Sequence, residues 1–538
     1  MKYKLDFNER ADSLPDWLND FQINTEEMWK YPVKSEVESL IAKKFNSSRD
    51  NIFLSNGGDE SIELLFKLCK LNDFSILLPL PAFSQYTHNL SVWNVENTML
   101  PSLENLEIDL QAVEDNLKKD QWLVITRPNN PTGEYISNEL LKFIIETAGK
   151  AGAYVFVDEA YIEFCSEEEP INFSLQYDNV VCLRTFSKAY GLAGARLGYL
   201  TGCASLISEF RNIAMPFNVS RPNLQLAKAA LQHEDETRIY CRNIIQNRET
   251  VFEFLKTRNI KVLPGQGNFL LIKPGKMKKK LLVSYLKKND IAIKDNVIDL
   301  PDWVRITIPQ NIDKLLECLK TVFKPNILGF DMDGVLIDTS QSYDSCISET
   351  VLFFTQVQIQ QSDITRVREQ GGFNNDWDLC EQLIKERGFK TDYQLIVEKF
   401  QQLYNGDINR AGLKEKEQRL LHTSTLDLCF NSYYTSAIIT GRPRDEAISG
   451  VEMLEINPDY VISADDVSEQ KPSPEGLEKI KSKLENSRMW FCGDTVDDMQ
   501  AGTAANCVCI GIGSNKENMY QAGADIVLEN INQIKELL

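Results

Sequence analysis

Asp331 and Asp333 stand two residues apart in FDMDGVLIDTS, directly after an apolar run. At the end of a strand, that spacing lets one carboxylate attack phosphorus while the other protonates the departing alkoxide and later activates water. A bound Mg²⁺, which favours oxygen ligands in octahedral geometry, would neutralise phosphoryl charge there. The first half of the chain has other features, which suit pyridoxal phosphate. That cofactor needs a lysine to bond its aldehyde, an acid under the ring nitrogen, an aromatic side chain over the ring face and a cradle for its phosphate. The three histidines, His88, His233 and His422, are scattered along the sequence and read as incidental polar residues.

The first half resembles the fold-type I aminotransferases, nearest in pattern to the histidinol-phosphate aminotransferase family, over about residues 5–322. The likeness rests on FNER, YP, SNGGDES, PAFSQY, RPNNPTG, VDEAYIEF, RTFSKAYGLAGARLGYL, GNFLL and VRIT, in that order. It implies that Lys188 bonds the cofactor and then moves a proton during the reaction, and that Asp158 keeps the ring nitrogen protonated. Tyr161 and Asn130 are expected at the ring's 3'-oxygen and Phe83 over its face. Gly58 and Asp59 would present backbone amides to the phosphate from the start of a helix, with Ser187 and Arg196 adding a hydroxyl and a cation. Tyr31 matches the tyrosine that reaches the cofactor phosphate of a second subunit, which implies a homodimer. Arg305 would grip the substrate's carboxylate or phosphate with its planar fork, and Asn8 and Glu9 would line the substrate side.

Two departures bear on the substrate. VRIT continues as Ile308-Pro309-Gln310 where the family usually has Gly-Thr, and Lys294 stands where a small-subdomain arginine is usual. Transamination is unaffected by either change, but imidazole-acetol phosphate is less firmly implied. The threonine-phosphate decarboxylases share much of the motif set, so decarboxylation is an alternative.

Residues 326–538 resemble haloacid-dehalogenase-like (HAD-like) phosphatases with a helical cap of the phosphoglycolate-phosphatase type. IITGRPR, KPSPEG and GDTVDD follow the double-aspartate motif in order. The resemblance places Thr440 on a phosphoryl oxygen and Lys471 beside the nucleophile. It places Asp331, Asp333, Asp494 and Asp498 around Mg²⁺, with Asp497 as an alternative to Asp498. An acid at Asp333 favours ester hydrolysis over dehalogenation. Within REQGGFNNDWDLC, the residues Arg368, Asn374, Asn375 and Asp376 are expected to close over the leaving group.

These residues need elements to hold them. Short apolar runs at 75–81, 122–129, 153–161 and 179–186 predict strands, and 58–71 and 137–152 predict helices between them. That alternation implies an α/β domain with a largely parallel sheet. A long helical stretch at 222–258 leads to a small subdomain. The expected organisation is a large domain over about 30–250, a small subdomain over about 251–325, and a second α/β domain over 326–538. Strands at 433–441, 460–466, 488–494 and 507–513 build the second core (326–343 and 430–538), which is interrupted by a strand-poor helical insert over about 344–429. KMKKK at 276–280 reads as a solvated loop.

The net charge of −20 argues against nonspecific nucleic-acid binding. Twelve cysteines without a CxxC pair, and no apolar run near the ~20 residues of a membrane span, point to a reduced cytoplasm and no membrane partner. The best reading is a bifunctional enzyme. Its first half would transfer an amino group from glutamate to a phosphorylated keto compound, with imidazole-acetol phosphate the best candidate. Its second half would hydrolyse the resulting phosphate ester, histidinol phosphate. Alternatives are a different phosphorylated amino alcohol, or one half serving as a non-catalytic regulatory or assembly module.

Overall fold

Runs of aliphatic and β-branched residues form the strands, and each helix between them carries one apolar stripe. The helix Asn138–Ala151 shows the logic. Leu141, Ile144, Ile145 and Ala148 are its buried face, spaced by three and four residues as a half-buried helix requires. Ser137 caps it by accepting from the Leu140 amide, and Gly152 closes it in the left-handed conformation; a cap of this kind is worth about 1 kcal/mol. The computed structural model describes every residue except Met1, Lys2, Glu27, Glu167, Glu169, residues 369–374, Asn409 and Ser432. Asn374 therefore lies outside the described residues.

The chain forms two units: residues 1–275 with 290–314, and residues 276–289 with 315–538. The first is built on a seven-stranded sheet. Its order is Ile52–Ser55, Gly198–Gly202, Val180–Thr185, Tyr154–Asp158, Gln121–Thr126, Ser75–Pro79 and Asn97–Leu100. All pairings are parallel except those of Gly198–Gly202, which runs against both neighbours. Buried clusters cover both faces, one around Phe66, Trp122 and Phe210, the other around Leu123, Ile145 and Val157. A smaller antiparallel sheet of Lys261–Val262, Phe269–Lys273 and Val304–Thr307 belongs to the same unit.

The second unit has a six-stranded, all-parallel sheet. Its order is Tyr460–Ile462, Thr435–Ile439, Ile327–Phe330, Met489–Gly493, Val508–Ile512 and Ile526–Leu528. Between its first two strands in sequence lie the helices Tyr343–Thr355, Gln361–Arg368, Asp376–Glu386 and Tyr393–Asn405, which share an apolar core of their own. The insert is less purely helical than expected. Gly406–Asp407 pairs with Arg410–Ala411, and Gln418–Arg419 pairs with Ile337–Asp338 next to the double-aspartate motif.

Three further expectations change. The stretch 222–258 is two helices, Arg221–Gln232 and Glu234–Lys256, with His233 at the junction. Lys276–Lys280 is not a loop but the first part of the helix Lys276–Lys288, whose Leu281, Leu282, Tyr285 and Leu286 are buried. This helix and residues 315–323 group with the second unit, so the compact units interleave along the chain and do not divide at a single point near residue 325.

Candidate active sites

In the first unit, a cavity of about 550 Å³ opens where the parallel strands end, the usual place for a ligand in an α/β sheet. Its lining brings together Glu9, Gly58, Asp59, Phe83, Asn130, Asp158, Tyr161, Ser187, Lys188, Arg196 and Arg305, all singled out from the sequence. Asp158 ends the strand Tyr154–Asp158, and its Oδ2 accepts a 2.8 Å hydrogen bond from the Tyr86 hydroxyl. Burial pushes its pKa up to about 6, although bonds from Tyr86 and the Ala160 amide oppose the shift. A cation beside it would relieve that penalty.

The Tyr161 hydroxyl accepts from Asn8 Nδ2 and Asn130 Nδ2, each at 3.2 Å. Asn8 is fully buried and is held by Thr307, whose hydroxyl donates to Asn8 Oδ1 at 2.9 Å and accepts from its amide at 3.0 Å. Arg305 donates to Asn130 Oδ1 at 2.5 Å and to the Asp6 carbonyl at 2.8 Å, while its Nε is buried without a partner. Its backbone pairs with that of Lys294. Lys188 Nζ donates to the Phe7 carbonyl at 3.0 Å and lies 5.7 Å from the centre of the Tyr161 ring.

Arg196 reaches Asp59 Oδ2 at 2.5 Å, beside the first turn of the helix Gly57–Asn72. A Cβ on Gly57 would sit 2.8 Å from the Arg196 guanidinium, and the backbone there has φ +81°, so only glycine leaves this anion cradle open. The cradle, the buried acid, the two rings and the unsatisfied arginine together fit pyridoxal phosphate. Tyr31 is not part of this cavity. It is 74% exposed and stacks on Phe217 with ring centres 4.4 Å apart. Tyr86 escaped the sequence reading, although it lies in PAFSQY one helical turn from Phe83.

In the second unit a cavity of about 380 Å³ is lined by Asp331, Asp333, Lys471, Asp494 and Asp497 from the core, and by Arg368, Asn375 and Asp376 from the insert. Asp331 and Asp494 directly follow adjacent parallel strands. Asp498 is placed by a reciprocal cap: Thr495 accepts from the Asp498 amide, and Asp498 Oδ2 accepts from both the amide and the hydroxyl of Thr495. Oxygens of Asp331, Asp494 and Asp498 all lie within 4.8 Å of one another. Three clustered carboxylates suit a hard cation such as Mg²⁺. Burial raises the pKa of Asp331 and Asp494; Asp498 and Asp333 push Asp331 further up against the pull of Lys471, and Asp331 and Asp498 do the same to Asp494. Gly334, at φ +71°, makes room for this packing, since a Cβ there would lie 2.0 Å from Asp494 Oδ2.

Lys471 bridges the cluster, donating to Asp331 at 2.7 Å and Asp498 at 2.6 Å. Burial alone would lower its pKa, but the two carboxylates more than offset this and hold the ammonium charged. Thr440 is buried and its hydroxyl accepts from the Arg442 amide at 3.1 Å. It lines a small pocket that shares Gly441 and Lys471 with the main cavity. Asp333, expected among the metal ligands, lies outside the three-carboxylate cluster. Its carboxylate accepts from Arg442, a residue passed over in the sequence although it stands two after Thr440. Arg368 is an ion-pair bridge between Asp344 (2.6 Å) and Asp376 (2.8 Å). Asn375 caps the helix Asp376–Glu386 through a 2.9 Å bond from the Trp377 amide while lining the cavity.

Residues 7–319 match the family model described as aminotransferase class I and II, which covers more than half of the chain. The chain belongs to that family. Residues 328–512 match the haloacid dehalogenase-like hydrolase model, so the aminotransferase unit is joined to a HAD-like one. Histidinol-phosphate aminotransferase 1 of Bacillus thuringiensis subsp. konkukian is 30% identical over 300 residues, covering 54% of this chain and 80% of that protein. A Photorhabdus laumondii protein named as a histidine biosynthesis bifunctional protein, HisCD, is 33% identical over 273 residues. That match covers 48% of this chain but only 34% of the relative. Among solved structures, the histidinol-phosphate aminotransferase of Sinorhizobium meliloti in complex with pyridoxal-5'-phosphate aligns with a TM-score of 0.53 and 22% identity, over 60% of this chain and 90% of that one. It supports the fold of the aminotransferase unit.

No helix among the described residues is long and apolar enough to cross a membrane. All twelve cysteines are free thiols.

Proposed function

We propose that this chain is a bifunctional enzyme that transfers an amino group from glutamate to imidazole-acetol phosphate and then hydrolyses the product, histidinol phosphate, with Mg²⁺. The observation that carries the first activity is the single cavity that gathers Lys188, Asp158, Tyr161, Arg196 and Arg305 in a family member. Pyridoxal phosphate, when bound, supplies the electron sink for carbon–hydrogen cleavage. Asp158 holds a proton at the ring nitrogen, and Tyr161, fixed by Asn8 and Asn130, orients the 3'-oxygen. Gly58, Asp59, Ser187 and Arg196 hold the phosphate. Lys188 takes and returns the proton at the substrate's alpha carbon, while Arg305 binds the substrate anion with Glu9 nearby. Tyr31 serves the site of a second copy in a homodimer.

In the HAD-like unit, Mg²⁺ supplies charge neutralisation at the phosphoryl group. Asp331 attacks phosphorus as the bond to the alcohol oxygen breaks, and Asp333 delivers a proton to that oxygen. Water then attacks the phosphorylated Asp331, losing its proton to Asp333 and releasing inorganic phosphate and free Asp331. Lys471 and Thr440 hold phosphoryl oxygens, and Asp494 and Asp498 hold the metal. Residues 344–429 act as a cap whose Arg368 and Asn375 face the leaving group. A cytoplasmic location suits the free thiols and the metabolite substrates.

The deciding experiment measures phosphate release with Mg²⁺ on histidinol phosphate against a panel of small phosphorylated amines and sugars, alongside glutamate-dependent formation of the dephosphorylated amine. A preference for histidinol phosphate of about 100-fold, or roughly 2.7 kcal/mol, is expected. A flat profile rejects the assignment.

A further inference from the structure

Most carboxylates lining the HAD-like cavity have a cation or a metal site to answer them. Asp331 has Lys471, Asp333 has Arg442 and Asp376 has Arg368, and Asp494 belongs to the metal cluster. Asp465 is exposed at the rim and accepts from the Arg444 amide.

Glu446 differs. It stands in the first turn of the helix Arg444–Leu454, lines the cavity, and is partly buried. One oxygen accepts from the Tyr343 hydroxyl and the other from Gln401 Nε2 at 2.8 Å. Both donors are neutral and both come from the helical insert. No Lys, Arg or His among the described residues forms an ion pair with Glu446. Arg444, the nearest cation in sequence, pairs with Asp466 at 2.7 Å, and Arg442 spends its donors on Asp333, Glu417 and the Tyr404 hydroxyl. The Arg442 guanidinium lies over the Tyr343 ring at 4.9 Å.

A carboxylate fixed in place by two neutral hydrogen bonds has a charge that no cation answers and little rotational freedom left to lose. In a partly enclosed cavity that charge favours a cationic ligand more than it would in open water. Trp377, on the same lining, adds an aromatic surface of the kind that also attracts ammonium groups.

We infer that Glu446, oriented by Tyr343 and Gln401, selects phosphate esters whose alcohol carries a protonated amine, so that the phosphatase site takes the amino product and discriminates against the keto compound from which it is made. This rests on the phosphatase reading of the site and adds to it the residue that reads the amine. The binding needs no covalent step of its own.

The test uses the full-length enzyme with Mg²⁺ and two matched pairs of esters. One pair is histidinol phosphate and its analogue with hydroxyl in place of the amine. The other is 2-aminopropyl phosphate and propane-1,2-diol 1-phosphate. The wild type is expected to show higher kcat/KM for the amine of each pair. Glu446→Gln is expected to lower kcat/KM on the amines by about 10- to 100-fold, the scale of one hydrogen bond to a charged group, with the hydroxyl esters changed less than about threefold. Because the comparison is made within one protein sample, a partly unfolded variant cannot imitate it. If Glu446→Gln does not fold, Glu446→Asp, which keeps the charge but shortens the reach, is expected to narrow the amine preference.

An amine preference that survives the Glu446 substitution overturns the role of Glu446 and leaves the phosphatase reading standing. Equal rates on amine and hydroxyl esters in the wild type overturn the inferred selectivity. An amine preference in the second pair but not in the first supports it and rejects histidinol phosphate. Failure of the wild type to release phosphate from any of the four esters overturns the phosphatase reading and the inference together.

Discussion

Arg442 grips Asp333 from two nitrogens: its Nε lies 2.9 and 3.1 Å from the two carboxylate oxygens, and a terminal nitrogen lies 2.6 Å from one of them. The same guanidinium also reaches Glu417, at 3.0 Å. Both Asp333 oxygens accept from Arg442, so to hand a proton to a leaving group Asp333 would have to loosen from Arg442 as the ester enters. Arg442 thus ties Asp333, the proposed acid–base residue, to the segment that closes the helical insert.

Removing that guanidinium has two expected consequences. Arg442→Ala leaves Glu417, whose side chain is 6% exposed, as a buried charge without a cation. The loss should be about 3 kcal/mol, read by urea unfolding of the HAD-like unit. Phosphate release should fall by at least about tenfold from the misplaced Asp333, with transamination unchanged.

Metal binding gives a distinct signature. Mg²⁺ is expected to raise the melting temperature of the HAD-like unit, and chelation to lower it. Asp494→Asn should raise the melting temperature of the metal-free protein, because it removes a partly buried carboxylate that Asp331 and Asp498 repel. It should also abolish the response to Mg²⁺. A variant that is less stable without metal would contradict this account.

Tyr86→Phe removes the 2.8 Å hydrogen bond to Asp158. That bond lowers the acid's pKa against the effect of burial, so the ionised form becomes harder to keep. Transamination should fall by about threefold to thirtyfold, in line with a charged hydrogen bond worth about 1.5–3 kcal/mol that is only partly lost. Phosphatase activity serves as the internal control.

Glu134 provides a pH test away from both sites. Burial raises its pKa from 4.5 to about 7, opposed by a bond from the Ile108 amide and reinforced by Glu107. Its protonated form therefore favours the fold. This stability is fully present below pH 4.5 and is lost as pH rises through about 7. Glu134→Gln should flatten that dependence and exceed the wild type at pH 8 by about 1–2 kcal/mol after allowance for partial exposure. Parallel melting curves for the two proteins from pH 5 to pH 8 would refute it.

The motifs that carried the most in the sequence were those tied to strand ends. Asp158, Asp331 and Asp494 were legible because a buried apolar run followed by an acid leaves the chain few other ways to fold. Lys188, Arg196 and Arg305 could be singled out only through the joint order of many short motifs. Tyr86, Arg442 and Glu446 were missed because each acts through a partner far away in sequence: Asp158, Asp333 and Gln401 respectively. The short strand Gln418–Arg419 went unseen for a similar reason, since two polar residues form a strand only when Ile337–Asp338 is there to pair with. The lysine-rich helix Lys276–Lys288 was misread because its charged first turn hid the apolar stripe that begins at Leu281.

That helix also determines where the polypeptide can be divided. Lys288 pairs with Asp525 at 2.8 Å, Ser284 donates to the same carboxylate, and the Asp525 side chain is fully buried at the edge of the parallel sheet. From residues 315–323, the Thr321 carbonyl accepts from the Trp490 indole. A fragment starting at residue 326 would lose that ion pair, leave the Trp490 indole without its acceptor and uncover the apolar surface against which Leu281, Leu282, Tyr285 and Leu286 are buried. Expressed separately, residues 326–538 should be poorly soluble, and a gene split at the border between the two families would need its own copies of residues 276–288 and 315–323 to encode a working second product.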